Sequence, residues 1–155
     1  MDNTLKFSQN CINLIAENEG FRSEPYLDIE NVPTIGYGST FYENGTKVTM
    51  KDPAIDQTRA KQLVMHYLDN LALPCLQKSV KVNINQNMLD SLGDFIYNLG
   101  CGAFINSHLL RYINIESTPE IIKNAFLMWD KAGGETNQGL LKRRQQETEL
   151  FYKPI

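Results

Sequence analysis

The sequence predicts an α+β fold, a small lobe carrying an antiparallel sheet or hairpin beside a larger helical body, with a cleft between them. Three observations predict it. One helical stretch, FSQNCINLIAENEG, comes first. From about 26 to 49 the residues turn β-branched, aromatic and Gly-rich. Beyond Asp52-Pro53 apolar residues recur at helical spacing to the end. A chain of 155 residues suits a single domain of two lobes sharing a core. Roughly 15–55 would form the β-containing lobe, and 56–155 with the N-terminal helix the helical lobe.

In the first helix Phe7, Cys11, Leu14 and Ile15 share a face, Ser8 is placed to cap the start and Gly20 to end it, so Glu19 falls at the C-terminal end. In FYENGTKVT, Asn44-Gly45 lies between two strand-like triplets, the strongest short hairpin signal. Asp56 can cap a helix bearing Ala60, Leu63, Val64, Tyr67, Leu68 and Leu71, which Pro74 should kink or end. Asn85 can cap QNMLDSLGDFIYNLG, whose wide apolar face closes at Gly100. A short helix is expected around SHLLRYIN. Ser117 and Glu120 form a capping box with Pro119 in the first turn of the next helix. Gly133-Gly134 breaks the chain, Asn137 can cap QGLLKRRQQETELFY, and Pro154 stops it. No internal repeat or low-complexity linker is present.

Composition narrows the function. With 42% hydrophobic and 21% charged residues the chain has the make-up of an ordinary soluble globular protein. No apolar run approaches the ~20 residues of a membrane helix. The start, MDNTLKFSQN, has no basic segment leading into a hydrophobic one, so no export signal or stable membrane association is expected. Net charge is -3, which gives no global pull toward nucleic acid. The basic cluster Lys142-Arg143-Arg144 precedes Glu147 and Glu149 and is read as a solvated helix face that pairs locally. Cys11, Cys75 and Cys101 lack the spacing of a zinc site or disulfide framework and are expected to stay reduced as buried small hydrophobes. His66 and His108 stand alone, so neither a metal nor another cofactor is expected.

The stretch EGFRSEPYLDIENVPTIGYG carries the chemistry: Glu19, Asp28 nine residues on, and Thr34 six further. Inverting hydrolysis of a glycosidic bond needs one carboxyl group to protonate the leaving oxygen and a second to hold an attacking water on the opposite face of the sugar. Glu19 sits where the negative helix end, with desolvation beside Phe21 or Tyr26, would keep a carboxyl protonated. Asp28, in a turn, would stay ionised, and the Thr34 hydroxyl can share the water with it. Singly, each has a plainer reading: a surface charge at a helix end, an Asx turn, and strand propensity.

The combination is more specific. E-G-F-R at 19 to 22, Y-L-D at 26 to 28 and T-I-G-Y-G at 34 to 38 resemble the N-terminal signature of phage-type lysozymes, the endolysin muramidases of glycoside hydrolase family 24. Residues 86–92, 95–104 and 107–110 resemble that family's central helix and the turn after it. The runs W129-D130-K131-A132-G133-G134 and G139-L140-L141-K142-R143-R144-Q145-Q146-E147 resemble its ending. The resemblance implies a lysozyme-like fold and hydrolysis of the β-1,4 bond between N-acetylmuramic acid and N-acetylglucosamine in peptidoglycan. It makes Glu19 the general acid, Asp28 the water-directing carboxylate and Thr34 the hydroxyl that helps hold the water. It places Thr40, Tyr97, Asn98 and Ser107 along the saccharide groove, with core packing for Tyr97 and helix capping for Asn98 and Ser107 as alternatives. Arg143 and Arg144 fit a structural role, tying the last helix to acidic partners.

Two positions depart from the family pattern. Asn31 stands where Gly is common, and Asn is the non-Gly residue that best tolerates a left-handed backbone. Ser39 stands where many relatives have His, which removes an imidazole partner for nearby acidic groups. Two rivals remain at this stage: a lytic transglycosylase, for which a water-holding pair serves no purpose, and a catalytically silent wall-binding module. The expected setting is a monomer that accumulates in the host cytoplasm, depends on a holin-type pore-former, and then acts on the wall.

Overall fold

The computed structural model describes residues 4–155. Helix α1 (Gln9–Glu19) starts where the Ser8 hydroxyl accepts the Asn10 N–H and ends at Gly20, φ 70°. Strand β1 (Arg22–Leu27) pairs antiparallel with β2 (Pro33–Gly36), with Tyr26 opposite Thr34 and a register shift between Arg22 and Tyr26. The predicted sheet is thus shorter at its far end and begins earlier than residue 26. After β2 the chain continues by single bridges, Ile35 with Ser39 and Phe41 with Lys47, the second closed by the Asn44-Gly45 turn. Asn44 Oδ1 accepts both the N–H and the hydroxyl of Thr46, so that turn is fixed by its own side chains.

Helix α2 (Gln57–Tyr67), capped by Asp56, runs into a π-helical turn (Leu68–Ala72) and then α3 (Leu73–Ser79). Pro74 therefore does not end the helix. It falls in the first turn of α3, and the wider turn, in which the Leu73 N–H reaches the Leu68 carbonyl, carries the chain past the missing donor.

Helix α4 (Gln86–Leu99), capped by Asn85 and ended at Gly100, is the centre of the molecule. It buries residues around most of its circumference, including Asp90, Ser91 and Asp94. Its Gly93 faces α1: a Cβ there would lie 2.4 Å from Phe7 and 2.8 Å from Cys11 Sγ, so only glycine permits this approach. Phe95 meets Phe104, Phe126 and Trp129 edge to face at 5.8–6.1 Å. Helices α5 (Cys101–Ile105), α6 (His108–Asn114) and α7 (Pro119–Leu127) complete the helical body. Thr118, not Ser117, is the cap residue of α7, and it makes no side-chain cap bond; Pro119, which needs no donor partner in the first turn, sets the start instead. A two-residue hairpin, β3 (Lys131–Ala132) and β4 (Glu135–Thr136), turns at Gly133-Gly134, both with positive φ, and α8 (Gln138–Phe151), capped by Asn137, packs back on α4.

The main core runs without interruption from the α4 surroundings to Tyr37, Phe21 and Ile55 of the small lobe. Ile35, Val48 and Leu63 make a smaller cluster beneath the β region.

Two expectations are corrected. Cys75 and Cys101 form a disulfide, which ties α3 to the start of α5, while Cys11 is free and buried as expected. The pairing depends on how two helices pack, which their spacing of 26 residues does not reveal. The basic cluster is not a solvated face either. Lys142 is exposed, but Arg143 and Arg144 are buried, with Arg144 bonded to Glu147 and Asn98 and lying 4.9 Å from the centre of the Phe95 ring.

A loop of 26 residues closed by the disulfide should contribute about 3.5 kcal/mol by restricting the unfolded chain. Chemical denaturation with and without a reductant should show that loss on reduction; superimposable transitions would remove the bridge from the stability account.

Candidate active site

Glu19 is the last residue of α1, and its side chain is 23% exposed. Its Oε1 accepts a 2.6 Å hydrogen bond from Arg143 Nη1. The same guanidinium donates from Nε and Nη2 to the two oxygens of Asp94, at 2.9 and 2.7 Å. Arg143 is thus held by a buried carboxylate on α4 and in turn holds Glu19. Burial opposes its charge, but Asp94 and then Glu19 outweigh that and keep its pKa above the ordinary value. The strongest neighbour of Glu19 is therefore a cation rather than the apolar rings anticipated. The other oxygen, Oε2, faces the small lobe, where a Cβ on Gly38 would come within 3.0 Å of it. Gly38 has φ 85°, so both its backbone and the nearby carboxylate require glycine.

Asp28 follows β1. Its Oδ1 accepts the N–H groups of Glu30 and Val32 at 2.8 and 2.9 Å, and its backbone pairs with Asn31 and Val32. This Asx turn needs a left-handed residue, supplied by Asn31 at φ 61°. One carboxylate oxygen thus shapes the loop, and Oδ2 has no hydrogen bond among the described residues. Thr34 is buried on β2, and its hydroxyl donates to the Val32 carbonyl at 2.9 Å, leaving the oxygen to accept. Tyr26, directly across the sheet from Thr34, lies within electrostatic reach of both acids. Burial first, then Glu19, and to a smaller extent Asp28, raise its phenol pKa against the opposing Arg22. Tyr26 thus feels the charge of both acids from its place across the sheet from Thr34.

A cavity of about 520 Å³ lies between the 38–45 segment and the α2 and π-helical stretch. Gly38, Thr40, Phe41, Tyr67 and Tyr97 are among its lining residues, so it begins at the glycine against the Glu19 carboxylate. Glu19, Asp28 and Thr34 are not in its lining. Bidentate pairing of Arg59 with Glu43 fastens the turn to α2 and lowers the Glu43 pKa to about 2. Of the residues placed along a groove by the sequence, Thr40 and Tyr97 face this cavity. Asn98 accepts from Arg144 Nη2 at 2.9 Å. Ser107 is buried and caps α6, accepting from the Leu110 N–H and donating to the Phe104 carbonyl. Sequence reasoning missed Asp94 and the direct grip of Arg143 on Glu19. An acid amid the apolar positions of α4 was the one available signal.

The phage lysozyme family model matches residues 16–147. The chain is 37% identical over 153 residues to an endolysin of Bacillus phage B103, an alignment covering 95% of this chain and 54% of that protein. It is 33% identical over 147 residues to an endolysin of Salmonella phage P22, covering 95% and 98%. The chain thus spans about half the length of the Bacillus phage relatives and nearly all of the P22 protein. A crystal structure of a P22 lysozyme mutant superposes with a TM-score of 0.83 at 32% identity, covering 96% of this chain and 99% of the other. With the family model matched over most of its length and the P22 endolysin 33% identical over nearly all of both chains, the chain belongs to the phage lysozyme family.

Proposed function

We propose that this chain is an endolysin-type muramidase that hydrolyses the β-1,4 bond between N-acetylmuramic acid and N-acetylglucosamine in bacterial peptidoglycan. The observation that carries the reading is the Glu19 carboxyl, fixed through one oxygen by Arg143 and presented with the other beside Gly38, where the 520 Å³ cavity begins. A glycan strand lies along that cavity past Thr40 and Tyr97. Glu19 carries its proton on Oε2, the oxygen that Arg143 does not engage, and delivers it to the glycosidic oxygen. Asp28 Oδ2 accepts a hydrogen bond from a water and takes that proton as the water adds, while Thr34 Oγ1 accepts the hydrogen bond of the other O–H, so a lone pair of the water is aimed at the anomeric carbon. Inversion follows from attack opposite the departing sugar. Proton donation of this kind is worth about 10²-fold to 10⁴-fold in rate, and positioning and electrostatics supply the rest.

Asn98 and Ser107 keep structural roles in this reading, because their hydrogen bonds serve Arg144 and the start of α6. Transglycosylation has no use for a free Asp28 oxygen beside a Thr hydroxyl, which favours hydrolysis. No helix among the described residues is long and apolar enough to cross a membrane. We infer that the chain reaches the wall through a separate phage-encoded pore, after accumulating in the host cytoplasm. The Cys75–Cys101 disulfide suits a working place outside the reducing cytosol.

Glu19→Gln is expected to lose wall-clearing activity by at least about 10²-fold while keeping the parent's circular dichroism; clearing of purified peptidoglycan at the parent's rate would remove Glu19 as the acid. Mass spectrometry of the released muropeptides should find reducing ends. Anhydro-muramic ends would assign the chain to transglycosylation instead.

A further inference from the structure

The Tyr97 hydroxyl donates a 2.6 Å hydrogen bond to the Tyr37 carbonyl, across from α4 to the small lobe. Tyr37 is the residue before Gly38, inside a turn closed by two 2.9 Å bonds between Ile35 and Ser39. Gly36 and Gly38 both have positive φ there, at 68° and 85°, so the backbone has left-handed freedom on either side of that carbonyl. The Tyr97 ring is itself seated edge-on against Tyr67, at 5.0 Å between centroids, which fixes the direction of its hydroxyl.

Tyr97 follows Asp94 by three residues, on the same side of α4. One turn of one helix therefore grips the acid twice. Asp94 works through Arg143 on Oε1, and Tyr97 works through the Tyr37-Gly38 turn beside Oε2. We propose that Tyr97 is a positioning residue for the reaction, its hydroxyl latching the Tyr37-Gly38 turn so that the proton-bearing oxygen of Glu19 faces the glycosidic bond. The role rests on Glu19 being the general acid. It differs from sugar binding, because the hydroxyl's one proton is given to a backbone carbonyl and its oxygen has the Ser39 side chain as a hydrogen-bond neighbour. Burial raises the phenol's pKa, so it stays a neutral donor through the working range.

Tyr97→Phe keeps the ring, its contact with Tyr67 and its place in the cavity wall, and removes one hydroxyl. Kinetics on soluble, uncross-linked glycan strands should show kcat per folded molecule reduced about 10-fold, KM within about 2-fold of the parent, and an unfolding midpoint lowered by only a few degrees. A raised KM with the parent's kcat would make Tyr97 a sugar contact and overturn the latch. An unchanged kcat per folded molecule, with or without a lowered midpoint, would overturn it as well. Glu19→Gln in parallel separates the two claims: an active Glu19→Gln enzyme removes the acid and the latch together, whereas an inactive one beside a fully active Tyr97→Phe removes the latch alone.

Discussion

The placing of Glu19 depends on the guanidinium of Arg143. It is 6% exposed and lies between a fully buried Asp94 and a half-buried Glu19, the first on the central helix and the second at the end of α1. Three of its donors are used, two on Asp94 and one on Glu19. A buried charge that loses a partner costs about 3 to 5 kcal/mol, so the arrangement of α1, α4 and α8 and the aim of the Glu19 carboxyl are hard to change separately. The planar fork of arginine is what lets one side chain serve two carboxylates in fixed directions.

The small lobe supplies what the helices cannot: backbone turns tight enough to approach that carboxyl and to hold a second acid away from it. Gly36 and Gly38 allow the turn beside Glu19, and Asn31 completes the loop in which Asp28 Oδ1 is consumed. Division of labour between oxygens follows. In each acid one oxygen is tied to the protein, and in the proposed reaction the other does the chemistry. A carboxyl that structures its own surroundings in this way loses rotational freedom before substrate arrives, which is the entropic part of catalysis by positioning.

Local chemistry was legible in the sequence, and long-range pairing was not. Ser8, Asp56, Asn85 and Asn137 each cap the helix they precede, and Gly20 and Gly100 each end one, because those roles depend on a few neighbouring bonds. Asn31 adopts the left-handed backbone expected of it. By contrast, Arg143 reaches partners 49 and 124 residues away, and a basic triplet followed by glutamates reads the same whether it faces water or the core. The Cys75–Cys101 pairing and the π-helical passage before Pro74 are also products of packing, invisible to spacing or propensity. Ser117 offered a capping box that Pro119 made unnecessary. For the site, the residue types at 19, 28 and 34 suggested a reaction, but what fixes Glu19 lay on α4 and α8.

The most direct test of this account is the turnover of Arg143→Lys, measured per folded molecule against the parent. Lysine keeps the charge and lacks the fork, so it cannot hold Asp94 and Glu19 together. The account predicts turnover reduced about 10²-fold in protein that retains its helical circular dichroism. Parent-like turnover in the lysine enzyme would contradict it, because Glu19 would then need no fixed partner to act.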